Sequence, residues 1–129
     1  IHKIEKNSFF DSSIKKIIFP PSLTEIEEGW NRKADKLTTV IISEKSSHFK
    51  YLDKGHHIII GKSKSSNSNF DVLIFVNKNV HEIRIPSSIT HTNSFAFLTC
   101  SYLNSIEIPE DSKMLSIEKM RVMVRLSNA

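Results

Sequence analysis

Apolar and polar residues alternate in four short segments of the chain, and three of these segments end at a proline. The apolar positions are Ile17 and Phe19 before Pro20, Val40 and Ile42, Ile83 and Ile85 before Pro86, and Ile106 and Ile108 before Pro109. A period of two is typical of a short strand with one buried face. Proline fits the end of such a strand because it has no N–H group with which to continue a ladder. The pattern therefore predicts four half-buried strands.

The spacing of these segments indicates a repeat. The first two segments are 23 residues apart, the last two are also 23 apart, and the middle interval is nearly double. Leu37 and Leu103 stand three positions before their apolar pairs, and an aromatic residue, such as Trp30 or Phe97, precedes each leucine. One such unit buries too little apolar surface to fold alone, so neighbouring units must stack. The spacing predicts a solenoid with one short parallel strand per unit.

Residues 46–80 interrupt this repeat. Two β-rich runs, at 58–60 and 72–76, flank a stretch rich in serine, asparagine and lysine. This pattern predicts a β-hairpin inserted in the array, with a mobile tip at 63–69. A disordered linker is the alternative, but both flanks of the segment are strongly apolar.

The phrase IPSSIT, followed by Ala96, Phe97, Cys100, Leu103 and then IEIP, resembles the BspA-like leucine-rich repeat, also called the Treponema-type repeat. The stretch SSHFKYLDKGHHIIIGK is similar to the start of the hairpins that this family commonly inserts. The resemblance implies one mainly β or α/β leucine-rich repeat domain over residues 1–129, taken from a longer array. The tail MLSIEKMRVMVRLSNA begins like another unit and then fades, which leaves open whether it is a cap or a truncated unit.

The resemblance also carries functional expectations. Members of the family are commonly surface or secreted proteins that adhere to host cells, matrix proteins or other microbes. It therefore implies a non-catalytic module at the cell surface or outside the cell, with a host or microbial surface protein as partner. A cytoplasmic scaffold or regulatory domain is the first alternative, and an enzyme is the second. The residues alone support a repeat scaffold with an extended face.

Composition narrows the chemistry. Three glycines in the whole chain cannot supply the tight runs of common nucleotide-binding loops. The net charge of +4 comes from scattered lysines without a nucleic-acid-binding motif, so no nucleic-acid partner is expected. Neither a transmembrane run nor a cofactor motif is found, so we expect no direct membrane insertion and no cofactor. The single cysteine excludes an internal disulfide framework.

The candidate binding site is the outward face of the four strands. Side chains between the buried positions point the other way, and stacked strands would align them in columns on a concave sheet. The candidate residues are Lys16, Ile18, Thr39, Ile41, Glu82, Arg84, Ser105 and Glu107. Ile18 and Ile41 are possible anchors for a partner, although a lone surface isoleucine is also ordinary.

Other reactive residues favour structural roles. His56 and His57 would point to opposite faces of a strand and could not chelate one metal ion together. Cys100 occupies the repeat position where the family commonly places a buried small residue, so we expect a core side chain and no nucleophile. The sequence predicts neither catalytic residues nor a metal site.

Overall fold

The chain folds into a mainly β repeat structure, seen in a computed structural model that describes residues 2–64 and 68–127. Over these residues it forms ten short strands followed by one helix. The strands are β1 (Lys3–Ile4), β2 (Lys16–Phe19), β3 (Glu25–Ile26), β4 (Thr39–Ile42), β5 (Phe49–Tyr51), β6 (Ile58–Gly61), β7 (Val72–Val76), β8 (Glu82–Arg84), β9 (His91–Thr92) and β10 (Ser105–Glu107), and the helix is α1 (Ser116–Ser127). The hairpin tip at 63–69 includes residues 65–67, which lie outside the described residues.

The strands of the repeat pair in parallel. β2 pairs with β4 so that Ile17 lies opposite Val40, and β8 pairs with β10 so that Ile83 lies opposite Ile106. Both offsets equal the spacing of 23 residues in the sequence. A third parallel pair joins β1 to β3. Along β4, β8 and β10, the inward side chains are buried and the outward side chains are exposed, as the period of two predicts.

A second kind of sheet separates β4 from β8 along the chain. β5, β6 and β7 are antiparallel neighbours, and β7 pairs in parallel with β9. Every residue of β6 and β7 is buried. Ile59 and Ile74 pack into one core, while Ile60 and Leu73 pack into the other. The sheet is buried on both faces because both sets of alternating side chains are apolar.

Aromatic residues of the repeat meet in the first of these cores. The ring centroids of Phe9 and Trp30 lie 6.2 Å apart at an interplanar angle of 83°. Phe19 contacts Trp30 at 5.8 Å, and Phe75 of β7 lies 6.4 Å from the same indole. Edge-to-face arrangements of this kind are favourable because a positive ring edge meets a negative ring face. Trp30 therefore connects β2 to β7 of the middle sheet.

Turn segments at 6–11, 28–33 and 94–99 lead into β2, β4 and β10. Asn7, Asp11 and Lys33 adopt positive φ angles of 62°, 54° and 56°. Asparagine and aspartate tolerate this left-handed region better than most residues. Gly29 has a φ of 79° and donates its backbone N–H to Asn93 Oδ1 at 2.9 Å.

Two buried asparagines join distant turns. Asn93 Nδ2 donates to Asn31 Oδ1 at 2.8 Å, and Asn31 Nδ2 donates to the carbonyl oxygen of Phe95 at 2.8 Å. Asn31 is 1% exposed and Asn93 is 4% exposed. Buried amides are stable only when they are hydrogen-bonded, so these two side chains hold the second and third turn segments in one relative position.

The tail forms the helix α1 next to β9 and β10. Val122 and Met114 are buried in the second core, and Glu118 accepts hydrogen bonds from the N–H of Thr92 at 2.9 Å and from its hydroxyl at 3.1 Å. These bonds occupy the edge of β9 that faces away from β7. Leu115, which precedes the helix, is 73% exposed.

Candidate functional site

All eight residues predicted to point outward are exposed. They form four opposite pairs on two parallel ladders: Lys16 with Thr39, Ile18 with Ile41, Glu82 with Ser105, and Arg84 with Glu107. Neighbouring strands lie roughly 4.8 Å apart, so each pair forms a small continuous area. The candidate surface thus has an apolar half on β2 and β4 and a charged half on β8 and β10.

The apolar half is defined by two isoleucines. Ile18 is 63% exposed and Ile41 is 36% exposed, and they lie directly opposite each other. Either residue alone would be unremarkable on a surface. Two in register present one contiguous aliphatic area, and a partner that covered it would gain about 25 cal/mol for each Å² removed from water.

The charged half contains an exposed ion pair. Arg84 Nη1 lies 3.4 Å from Glu107 Oε1, and the two side chains are 68% and 62% exposed. A pair so exposed contributes at most about 1 kcal/mol to stability. Both charges therefore remain available for contacts with a partner, beside the polar pair Glu82 and Ser105.

The two halves do not form one uninterrupted series of columns, which corrects the sequence-based expectation. β4 and β8 belong to separate two-stranded sheets and do not pair. The physical reason is that the segment between them forms the buried middle sheet, so β8 does not lie next to the edge of β4.

The edge of β4 that does not pair with β2 forms hydrogen bonds with side chains and not with another strand. The hydroxyl of Tyr51 accepts a hydrogen bond from the N–H of Ile42 at 2.9 Å and donates to the carbonyl oxygen of Val40 at 3.3 Å. A residue opposite Ile41 in a parallel neighbour would bond the same two backbone groups. Asn77 Nδ2 also donates to the carbonyl oxygen of Thr38 at 2.6 Å. The candidate surface is therefore divided at Tyr51.

Sequence reasoning missed an aromatic pair beside the charged half. The rings of His81 and Tyr102 are stacked with centroids 5.7 Å apart, and Tyr102 is 56% exposed. His81 directly precedes β8, and its carbonyl oxygen accepts the N–H of Asn104, which directly precedes β10. Exposed tyrosine is frequent among the residues that dominate binding energy. No recurring offset in the repeat marks Tyr102, so the sequence offered no signal for it.

The two adjacent histidines lie in a turn before β6. The expectation that they lie on a strand is therefore wrong. His56 has a φ of 61° and its ring stacks on Tyr51 with centroids 4.2 Å apart. His57 Nδ1 lies 3.5 Å from a carboxylate oxygen of Asp53. Within residues 2–64 and 68–127, no cluster of three or more His, Cys, Asp or Glu side chains could hold a metal ion.

Cys100 is a core side chain. It is 9% exposed, and its Sγ lies 3.2 Å from the carbonyl oxygen of Val76. Burial raises the pKa of the thiol from 9.0 to about 12, because the thiolate loses hydration in the protein interior. The thiol is therefore protonated at neutral pH, which does not suit a nucleophile.

A cavity of about 910 Å³ lies between α1 and the turn segment 94–99. Its two carboxylates are engaged in structural hydrogen bonds. Glu28 accepts the backbone N–H of Ser94 at 2.7 Å and also its hydroxyl, and Glu118 accepts both donors of Thr92.

In the part of the chain that the structure describes, no helix is both long and apolar enough to cross a membrane.

The parallel ladders, the buried leucine and aromatic positions and the stacked turns define the class: this is a leucine-rich repeat protein. The family model described as BspA type leucine rich repeat region matches residues 1–69 and 45–121, with six copies. These matches cover most of the chain, which therefore belongs to the BspA-type leucine-rich repeat family. None of the curated proteins compared matches it.

Two crystal structures are similar to the fold. A leucine-rich repeat protein from Eubacterium ventriosum is 23% identical over 88% of this chain and 29% of its own, with a TM-score of 0.68. A leucine rich cell surface protein from Faecalibacterium prausnitzii is 21% identical over 88% of this chain and 28% of its own, with a TM-score of 0.69. The chain thus spans less than a third of either protein. Leucine-rich repeat modules generally bind proteins, and they are generally not enzymes.

Proposed function

We propose that the chain is an adhesive module, which binds a protein on a host cell, in the matrix or on another microbe through the outward faces of its parallel strands. The observation that carries this proposal is the register of Ile18 opposite Ile41, both exposed on the same ladder. An aliphatic pair in this position contributes little to the core but offers an anchor to a partner.

The charged half would complete the interface. Arg84, Glu107 and Tyr102 are exposed residues of types that recognise proteins through charge complementarity and aromatic contact. A central apolar contact with a polar surround is the usual anatomy of such an interface. We further propose that the ladders belong to a longer solenoid, since the similar crystal structures contain more than three times as much chain.

Localisation at the cell surface or outside the cell belongs to the same proposal. BspA-like proteins are typically surface or secreted proteins, and one of the similar structures is described as a cell surface protein. A cytoplasmic scaffold is the competing function, and it predicts no binding to the surface of intact cells.

The test is flow cytometry with the purified, fluorescently labelled chain on epithelial cells. We expect saturable binding that is lost in the double variant Ile18→Ser, Ile41→Ser. The matched control is Leu115→Ser, Ile117→Ser, which changes two exposed apolar residues, 73% and 59% exposed, that lie just before and within the first turn of α1. Circular dichroism spectra would establish that both variants are folded.

The results separate the alternatives. Equal loss of binding in both double variants would contradict the assignment to the strand faces. Absence of binding by the folded wild-type chain would reject direct adhesion to these cells and favour the scaffold.

A further inference from the structure

We propose that a groove between the two halves of the candidate surface binds an acidic side chain of the protein partner. This inference rests on the proposed protein-binding function and names the chemistry that would be recognised at its centre. The groove has a volume of about 330 Å³ and lies between β5, residues 68–70 and the turn after β8.

The position of the groove links it to the strand faces. Tyr51 lines it and also caps the edge of β4 by hydrogen bonds to Ile42 and Val40. Pro86, which directly follows the strand segment of β8, lines the opposite side. A partner that touched both the Ile18–Ile41 pair and the Arg84–Glu107 pair would therefore pass over this groove.

The charge of the groove is positive. Lys50 is the only charged residue among those that line it. The ammonium nitrogen of Lys50 lies 4.4 Å from the ring centroid of Phe70, and that of Lys62 lies 5.3 Å from the same centroid. Within residues 2–64 and 68–127, neither lysine forms an ion pair. Both cations are held by cation–π contacts with one half-buried ring, so their positions are partly organised before any ligand arrives.

One carboxylate of the same hairpin region, Asp71, is engaged in hydrogen bonds of its own. Asp71 accepts the backbone N–H of Ser63 at 2.8 Å and its hydroxyl at 2.6 Å. Burial acts to raise the pKa of Asp71, but the hydrogen bonds from Ser63, a further backbone hydrogen bond and the charge of His91 together lower that pKa below 3.8. Asp71 is therefore ionised at neutral pH and committed to the base of the hairpin.

Charge complementarity selects the ligand. Two ammonium groups without an acidic partner attract a carboxylate. The whole chain also carries a net charge of +4, which favours acidic partners at long range. The groove is at the small end of ligand-binding cavities, so it fits a single aspartate or glutamate side chain better than an extended polymer.

The test uses fluorescein-labelled hexaglutamate as the probe, followed by fluorescence anisotropy at low and physiological salt. We expect saturable binding that weakens with salt and falls about fivefold to tenfold in the double variant Lys50→Gln, Lys62→Gln. The matched control is Lys36→Gln, Lys45→Gln, which removes the same charge at two exposed lysines away from Phe70. Labelled hexaserine should not bind.

Three results would overturn the assignment. Equal weakening in both lysine variants would mean that the probe responds only to net charge. Absence of hexaglutamate binding would reject recognition of a carboxylate, and lysine-dependent binding of a heparin-derived tetrasaccharide alone would assign the groove to sulfated saccharides.

Cell binding distinguishes this inference from the proposed function. Normal cell binding by the Lys50→Gln, Lys62→Gln variant would remove the groove from the adhesive interface. Lysine-dependent hexaglutamate binding by a wild-type chain that does not bind cells would reject adhesion but retain the groove's chemistry.

Discussion

At the scale of single residues, one hydroxyl group decides how far the candidate surface extends. Tyr51 supplies a donor and an acceptor to β4 where a parallel strand would otherwise pair. Its ring also stacks on His56 at 4.2 Å. Nothing in the repeat pattern marks Tyr51, because its role depends on how β5 is placed against β4.

Replacing Tyr51 by phenylalanine should reveal the contribution of that hydroxyl. The change leaves the partly buried N–H of Ile42 and the carbonyl of Val40 without this partner, so we expect a loss of about 1–3 kcal/mol in the free energy of unfolding. Urea denaturation followed by circular dichroism would measure it. Tyr102→Phe is the control, because Tyr102 is exposed and should stay within about 0.5 kcal/mol of wild type. Similar stability of the two variants would contradict the proposed cap.

The thiol of Cys100 should be almost unreactive in the native chain. A pKa raised from 9.0 to about 12 lowers the thiolate fraction at neutral pH about a thousandfold. We expect slow reaction with the disulfide reagent DTNB at pH 7.5 and fast reaction once urea unfolds the chain. Rapid modification without urea would mean that Cys100 is more accessible than its 9% exposure indicates.

At the scale of elements, the apolar pattern predicts the strands well but not always their surroundings. Alternation in β4, β8 and β10 correctly indicates one buried face. The continuous apolar runs in β6 and β7 are typical of strands that are buried on both faces, as these two are. The helix α1 could not be predicted from the sequence. The segment begins like another repeat unit, and its contacts with β9 and β10 decide that it is a helix.

Adjacent residues of β10 should respond very differently to substitution. Ile106 points inward and is 7% exposed, so Ile106→Asp would bury a charge without a partner and should cost more than about 3 kcal/mol. Glu107→Gln, on the exposed side, should change stability by about 0.5 kcal/mol or less. Thermal and urea unfolding would compare them. Equal destabilisation would show that the strand register is wrong.

At the scale of the whole molecule, the turn side and the strand side of the repeat are connected differently. On the turn side, Asn31 of segment 28–33 contacts Asn93, which directly precedes segment 94–99, although the two asparagines are 62 residues apart. On the strand side, β4 and β8 remain unpaired. The middle sheet thus separates two strand ladders while the turns on the other side stay in contact.

A double-mutant cycle at Asn31 and Asn93 should measure this long-range contact. Each alanine variant leaves a buried polar group without its partner, so we expect single losses of about 1–3 kcal/mol. The pair should show a coupling of about 0.5–3 kcal/mol, because the two side chains share a hydrogen bond. Urea denaturation of the four proteins gives all terms. Strict additivity would mean that the contact does not join the two turns energetically.

The sequence by itself determined the repeat class, the register of β2 with β4 and of β8 with β10, and the direction in which all eight candidate residues point. These properties are local or periodic, so the alternation of side chains and a constant spacing specify them. Only the tertiary structure decided that the strand faces are divided at Tyr51, that β6 and β7 separate two cores, and that Lys50 and Lys62 converge on Phe70. Such features depend on contacts between different elements, for which a single sequence carries no periodic signal.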